Sequence, residues 1–261
     1  MTGGGIEQAV LDRLESYGAR FRLETDLDGP DWIPCERLLD PASEELERVL
    51  EAERVASGQV SEHATALTVA AVYAGTVTVS ALLGWGLGEG VLDVRPANMA
   101  LRLSEHHGFE AVGLREPRIV PGDVSTLSSW VLDEHLLPLA DALRTCTRAG
   151  LRQLHGGIAQ GCSAAFTLAS RKGDSARFER AWEEFLGVAS VDLAALGRVV
   201  RLEEGGDEGL FYLRNTCCLY YTSAEAELCS SCCLTSEEDR ITAYRSFLAG
   251  QTGTSSTAPT A

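Results

Sequence analysis

The chain has 261 residues, of which 45% are hydrophobic and 23% are charged, as expected for a soluble globular protein with one substantial core or two small ones. Its formal net charge of -16 opposes nucleic acid and anionic membrane surfaces, so neither a nucleic-acid partner nor stable membrane insertion is expected. The N-terminus lacks the basic start and apolar run of a secretory signal. These features predict a cytoplasmic protein, with a peripheral position at the inner face of the membrane as the alternative.

The first part of the chain shows helical spacing over residues 6–19 and a strand-like alternation over 20–27. Asp40-Pro41 predicts a helix start, because Asp can cap and Pro is tolerated in the first turn, and about four helical turns should follow. Residues 63–88 are uncharged. Their threonines, glycines and acidic flanks favour a helix buried on all sides over a membrane span.

The middle of the chain predicts two strands, Met99–Leu103 and Phe109–Leu114, joined by a turn at Gly108, with a third strand at 118–120. Residues 125–170 read as helix interrupted at Pro138.

Towards the C-terminus, Asp174 should cap a helix with one buried face, formed by Phe178, Ala181, Trp182, Phe185 and Leu186. Residues 235–238 match a capping box before a last helix that stops at Gly250. The final eleven residues have no core-forming pattern and should be disordered. The predicted fold class is therefore α+β, mainly α-helical, with a small antiparallel sheet and a cysteine-rich loop before the C-terminal helix.

The strongest chemical signal is a group of cysteines near the C-terminus, with the spacing C-C-x10-C-x2-C from Cys217, Cys218, Cys229 and Cys232. Four thiolates suit zinc or an iron–sulfur cluster and exclude calcium and magnesium, which prefer oxygen ligands. The adjacent pair is unusual for zinc and fits a two-iron cluster at least as well. Spacing alone leaves both metals open, while disulfides are disfavoured in a reducing compartment.

The other cysteines are weaker candidates. Cys233 should point away from the metal because four ligands suffice, although it could replace Cys232 or act as a free thiol. Cys35, Cys146 and Cys162 are expected to be buried spectators.

Basic side chains offer candidate contacts to a substrate, a partner or the metal site. Arg144, Arg148, Arg152 and His155 would form one stripe on a continuous helix, which is either a docking surface or an ordinary solvated face. Arg214 precedes the cysteines and could donate to a sulfur or to the substrate, or pair with a carboxylate.

The segment from Arg214 to Cys233, with its Cys-Cys-Leu-Tyr-Tyr run, resembles the FhuF-type ferric-siderophore reductases. The stretch from Leu136-Leu-Pro-Leu-Ala to Leu154-His-Gly-Gly-Ile-Ala is similar to the helical region of that family, more weakly. That family is in turn similar to part of the IucA/IucC siderophore synthetases.

The resemblance implies a [2Fe–2S] cluster on Cys217, Cys218, Cys229 and Cys232, reduction of ferric siderophores, and a separate electron donor. Cys233 departs from the family pattern. The alternatives are a non-redox protein of siderophore biosynthesis or binding with structural zinc, and a [2Fe–2S] sensor or electron carrier. The implied organisation is a segment of unclear role (1–60), a mainly helical FhuF-like core (61–209), a [2Fe–2S]-binding segment (210–250) and a tail (251–261).

Overall fold

The computed structural model describes residues 4–224 and 227–251, and the part described is mainly helical with short antiparallel strand pairs, which confirms the predicted fold class. The α-helices are α1 (Gly4–Glu15), α2 (Glu44–Ser57), α3 (Glu62–Ala74), α4 (Val79–Gly86), α5 (Val124–Ser128), α6 (Leu137–Thr147), α7 (Leu151–Ser170), α8 (Ser175–Val188) and α9 (Glu237–Gln251). The strands are β1 (Ile33–Pro34), β2 (Val91–Leu92), β3 (Met99–Leu103), β4 (Phe109–Leu114), β5 (Ile119–Val120), β6 (Gly197–Glu204) and β7 (Asp207–Arg214).

Helices α3 and α7 form the centre of the core. They approach closely because α7 presents glycines to small residues of α3, and a Cβ atom added at Gly161 would lie 2.6 Å from the backbone nitrogen of Gly75. N-terminal side chains such as Leu14, Phe21 and Leu38 are buried in the same core. The N-terminal segment therefore packs as part of this core.

The uncharged stretch forms two helices, α3 and α4, rather than one. Residues Glu62–Gly86 are long and apolar enough to cross a membrane by length and composition, but 83% of the most apolar window is buried inside the protein. The buried Thr68 and Thr78 hydroxyls donate to the carbonyls of Ala64 and Ala74, which satisfies them inside the core. This packing is consistent with core helices of a soluble protein.

The strands form three small antiparallel groups, in the orders β1-β3-β4, β2-β5 and β6-β7. Strands β3 and β4 have the predicted bounds, and Gly108 closes their turn with a φ of 89°. The predicted third strand pairs elsewhere, because β5 lies against β2. The sequence analysis did not predict the β6-β7 hairpin.

Two predictions for the N-terminal part were wrong in detail. The expected strand over 20–27 is a 3₁₀ turn at Ala19–Phe21 followed by a single bridge from Glu24 to Gly113. The second predicted helix starts later than expected, because the Ser43 hydroxyl accepts from the Leu46 N–H and caps α2.

The helical region around Pro138 is also divided differently. A π-helix at Ser129–Leu136 leads directly into α6, and Pro138 lies in the first turn of α6, where its missing N–H is tolerated. The break comes later, at Arg148, which has a left-handed backbone (φ 58°), and at Gly150, which precedes α7.

The last two helices lie where they were predicted, and α8 has the predicted apolar face. Asp174 caps α8 by accepting from the Arg177 N–H, and four of its five predicted face residues are fully buried. Ser236, one residue later than expected, caps α9, whose apolar side packs on the β6-β7 hairpin and buries Leu248. Helix α9 continues through Gly250, and the predicted disordered tail lies outside the described residues beyond Gln251.

Candidate metal centre

The cysteine loop joins the end of β7 at Arg214 to the start of α9. Cys218 and Cys232 are buried, with 8% and 3% of their surface exposed, whereas Cys217, Cys229 and Cys233 are partly exposed. The loop therefore brings the two halves of the motif together at the edge of the core, close to solvent.

The first half of the loop is fixed to the end of α2. Gln59 donates to the Leu219 carbonyl (3.3 Å) and accepts from the Thr222 hydroxyl (2.8 Å), while the Ala224 N–H donates to the Ser57 carbonyl. Gly58 permits this approach, because it has a left-handed backbone and an added Cβ would lie 2.5 Å from the Cβ of Ala224.

The second half of the loop is a tight turn from Cys229 to Cys232, in which the Cys232 N–H donates to the Cys229 carbonyl (2.9 Å). Gln160 of α7 donates to the Ser231 hydroxyl (3.1 Å) and accepts a hydrogen bond from the Arg214 guanidinium. One side chain of α7 thus links the C-x2-C turn to the residue that precedes the C-C pair.

Thiols from the two halves of the motif approach each other, with 3.8 Å between the sulfurs of Cys218 and Cys229. A hydrogen bond with Cys229 lowers the pKa of Cys218 to about 5, and Arg214 acts in the same direction although burial opposes both. The same hydrogen bond raises the pKa of Cys229. Within residues 4–224 and 227–251, no three His, Cys, Asp or Glu side chains already converge as a metal site.

Two buried arginines lie at the base of the cysteine loop. Arg214 is 2% exposed and Arg240 is 7% exposed, and the Arg240 guanidinium donates to the Arg214 carbonyl (3.0 Å). Over the described part of the chain neither arginine has a carboxylate partner, and the Nε atoms of both lack hydrogen-bond acceptors.

This charge pattern tests whether the residues fit an iron–sulfur cluster. A buried cation is costly unless an anion compensates it, and a [2Fe–2S] cluster held by four thiolates carries net negative charge. Arg214 already interacts electrostatically with both Cys218 and Cys229. The donor set and the buried cations therefore fit an anionic four-thiolate centre.

The predicted basic stripe is wrong. Arg144 lies in the last turn of α6, and Arg148 ends that helix with a left-handed backbone, whereas Arg152 and His155 belong to α7. Four residues on two helices cannot share one helical face, and burial lowers the pKa of His155. Arg214 is the one residue of the predicted basic set that lies beside the thiols.

The remaining cysteines behave as expected except one. Cys35 and Cys162 are buried in the core, and burial raises the pKa of Cys35 to about 12. Cys146 is exposed near the end of α6, which contradicts its predicted burial. Cys233 and Cys232 both influence the Cys217 thiol, so which of them is a ligand stays a prediction.

Sequence reasoning missed three residues that support this site: Gln160, Arg240 and Gly156. Gly156 of α7 faces Thr216, whose side chain occupies the space that a Cβ atom would need. The signal that could have indicated this contact is the Gly-Gly pair within a helix, which allows another part of the chain to approach closely.

Comparison with known proteins bears directly on this loop. Residues 214–234 match the family model described as the FhuF 2Fe-2S C-terminal domain. No curated protein matches the chain. The similarity to IucA/IucC synthetases stays a prediction. The matched segment contains all five loop cysteines together with Arg214, and it indicates a [2Fe–2S] cofactor. The cysteine segment is thus similar to the C-terminal 2Fe-2S domain of FhuF.

Proposed function

We propose that this protein reduces Fe(III) bound by a siderophore and so releases Fe(II) in the cytoplasm. The observation that carries the proposal is the buried Arg214, which acts electrostatically on Cys218 and Cys229 within a segment that matches the FhuF 2Fe-2S domain. We assign the cluster ligands as Cys217, Cys218, Cys229 and Cys232. Arg144, Arg148, Arg152 and His155 are left out of the proposed site.

The chemistry needed is a single electron transfer. When bound, a [2Fe–2S] cluster supplies one electron at a time. The hard oxygen donors of siderophores hold Fe(III) tightly and Fe(II) much less tightly, so one electron makes the complex labile. A nucleophile and a general base are not required for this reaction.

The protein residues hold and tune the centre. Arg214 places positive charge near Cys218 and Cys229, which favours the thiolate forms. Gln160 fixes the orientation of Arg214 and of the C-x2-C turn together. The attachment to Gln59 and Ser57 keeps the first half of the loop at a fixed distance from α2.

A separate reductase or a small reduced carrier would deliver the electrons, since the sequence carries no recognisable nucleotide-binding motif. The exposed edge of the cysteine loop, including Tyr221 and Leu228, offers a route for such a donor to approach the centre.

The test is Fe(II) release under anaerobic conditions. Protein reduced with dithionite and freed of excess reductant is mixed with a ferric siderophore, and an Fe(II)-specific chelator records the product. We expect about one Fe(II) per reduced cluster, since each cluster donates one electron, and none from a Cys218→Ser variant. A Cys146→Ser variant is the matched control. A wild-type protein with a reducible cluster that releases no Fe(II) would contradict the reductase assignment and favour a sensor or electron carrier.

A further inference from the structure

The first half of the cysteine loop contains a residue with an unusual backbone. Leu219 lies in the left-handed region with a φ of 58°, which residues other than glycine rarely adopt, and a 3₁₀ turn at Tyr220–Thr222 follows it. Such a conformation persists only where the surrounding structure holds it, and it is common at functional sites. We call residues 217–222 the C-C turn.

Two backbone N–H groups of the C-C turn donate to cysteine sulfurs. The Leu219 nitrogen lies 3.4 Å from the Cys217 sulfur and donates to it. The Tyr220 N–H is a hydrogen-bond donor to Cys218. Hydrogen bonds to ligand sulfurs are one of the means by which a protein sets the reduction potential of an iron–sulfur cluster.

One set of contacts fixes the carbonyl of Leu219. It accepts from both the N–H (2.9 Å) and the hydroxyl (2.7 Å) of Thr222 within the turn. It also accepts from the side chain of Gln59 (3.3 Å), which follows α2. These bonds hold the left-handed residue itself, whereas the ring of the next residue, Tyr220, is held by a second set of contacts.

The second set of contacts runs from α2 through the β3-β4 turn to Tyr220. The Tyr220 ring packs against the ring of His107, with 5.9 Å between the ring centres. His107 in turn donates from Nδ1 to a carboxylate oxygen of Glu53 (2.8 Å). Helix α2 therefore reaches the C-C turn a second time, by way of the hairpin.

The pairing of Glu53 and His107 is asymmetric in its exposure. Only 5% of the Glu53 side chain is exposed, compared with 32% of the His107 side chain. A buried carboxylate is costly unless it is paired and hydrogen-bonded, so the buried partner fixes the orientation of the more exposed imidazole ring. That ring is the surface against which Tyr220 packs.

We propose that Glu53 and His107 are positioning residues for the [2Fe–2S] centre. Through the ring of Tyr220 they hold the C-C turn so that its two N–H groups donate to the ligand sulfurs. These hydrogen bonds stabilise the negative charge that reduction adds, and so they raise the reduction potential. The inference rests on the ligand assignment of the proposed function, but it does not depend on a siderophore as the substrate.

Glu53→Leu and Glu53→Gln are the matched pair for the test, because both remove the same charge and only Gln keeps an acceptor for His107. In the full-length, cluster-loaded protein, a redox titration followed by EPR should give Glu53→Leu the more negative potential. We expect a difference of at least threefold in the reduction equilibrium, which is about 28 mV for one electron.

His107→Leu provides a second comparison at a partly exposed position, where the substitution should not prevent folding. Its potential should be more negative than that of His106→Leu, the control at the exposed neighbouring residue, by at least the same factor. If Glu53→Leu does not fold, the comparison of these two histidine variants decides.

Hydrogen–deuterium exchange followed by mass spectrometry separates positioning from a simple effect of charge. Peptides that cover the C-C turn should exchange at least threefold faster in Glu53→Leu and His107→Leu than in their matched controls, because the N–H groups lose their fixed orientation. A change of charge alone would shift the potential and leave this exchange unaltered.

The inference is overturned if each variant has the same potential as its matched control, or if exchange in the C-C turn does not change. The reductase proposal fails separately: the expected differences in potential and exchange would be found, but the reduced wild-type protein would release no Fe(II). Conversely, normal Fe(II) release by the wild-type protein, together with equal potentials within each pair of variants, would overturn this inference alone.

Discussion

Arg214 and Arg240 place two guanidinium groups inside the protein, where an uncompensated charge costs several kcal/mol. A surface position would avoid that cost, so their burial at the base of the cysteine loop indicates that the loaded state contains a compensating anion. Arg214 is held from two sides, by Gln160 and by the Thr216 hydroxyl at 3.5 Å. Its position is therefore fixed before any cluster is bound.

Arg214→Gln should make the reduction potential of the centre more negative. Reduction adds an electron to an already anionic centre, and a nearby positive charge stabilises the reduced form more than the oxidised form. A redox titration followed by EPR measures the shift, with Arg180→Gln as the control. An unchanged or more positive potential in Arg214→Gln, with intact iron content, would contradict the assigned role.

The ligand set can be tested at single cysteines. Cys218→Ser should lose the cluster or severely change its spectrum, whereas Cys233→Ser should retain it, because Cys233 is partly exposed and Cys232 is buried beside Cys229. Iron content and visible spectra of both variants decide this. A colourless Cys233→Ser variant together with a normal Cys232→Ser variant would reverse the assignment.

At the scale of elements, α7 connects the core to the cysteine loop. Its glycines pack against α3 on one side, and Gly156 and Gln160 contact the loop on the other. A displacement of α7 would therefore move both halves of the cysteine motif.

Gly156→Ala should impair cluster binding, because the added methyl group would overlap Thr216, the residue before Cys217. Overpacking of this kind costs about 1–3 kcal/mol. Gly187→Ala on α8 is the matched control, since its Cβ meets nothing within 4 Å and Ala favours helix. Iron content and thermal unfolding of both variants are compared. A Gly156→Ala protein with wild-type iron content would show that this close contact does not position the loop.

Elements with a strong local signal were predictable from the sequence. Strands β3 and β4 alternate around Gly108, and α8 carries both a capping Asp174 and a single apolar face, so local pattern and tertiary packing agree there. Helix breaks were less predictable. Arg148 adopts a left-handed backbone although it is not a glycine, so the residue type did not indicate that the basic stripe is interrupted there.

The candidate site was likewise predictable from the sequence only in part. The four cysteines were identifiable because their spacing is local, whereas the roles of Arg240 and Gln160 depend on contacts between distant parts of the chain. Gln160 and Arg214 are 54 residues apart in sequence and meet only in the folded chain, so no local pattern indicates their contact.

At the scale of the whole molecule, one core extends from α1 to β7 and includes His135 at its centre. The ring accepts from the Tyr73 hydroxyl and donates to the Val94 carbonyl, each at 2.6 Å. Burial lowers the pKa of His135 to about 4, although the hydrogen bond to Val94 opposes that shift.

Global stability should consequently fall as the pH is lowered from about 6.5 to about 4. In this range the unfolded chain binds a proton at His135 and the folded protein does not, so protons favour unfolding by at most about 3 kcal/mol. Urea unfolding across this range measures the slope. In His135→Gln the part of the slope that His135 contributes should disappear. His106→Gln is the control, because His106 is exposed, and its slope should equal that of the wild-type protein. If the slope in His135→Gln were identical to that of the wild-type protein, the lowered pKa of His135 would not be the cause.

The most direct test of the central claim is the visible and EPR spectrum of the anaerobically purified protein, measured with its metal content. We expect a red-brown protein whose visible absorption bleaches with dithionite and which gives the EPR signal of a reduced [2Fe–2S] cluster, with iron and sulfide in equal amounts. A colourless protein with stoichiometric zinc and no EPR signal after reduction would contradict the account.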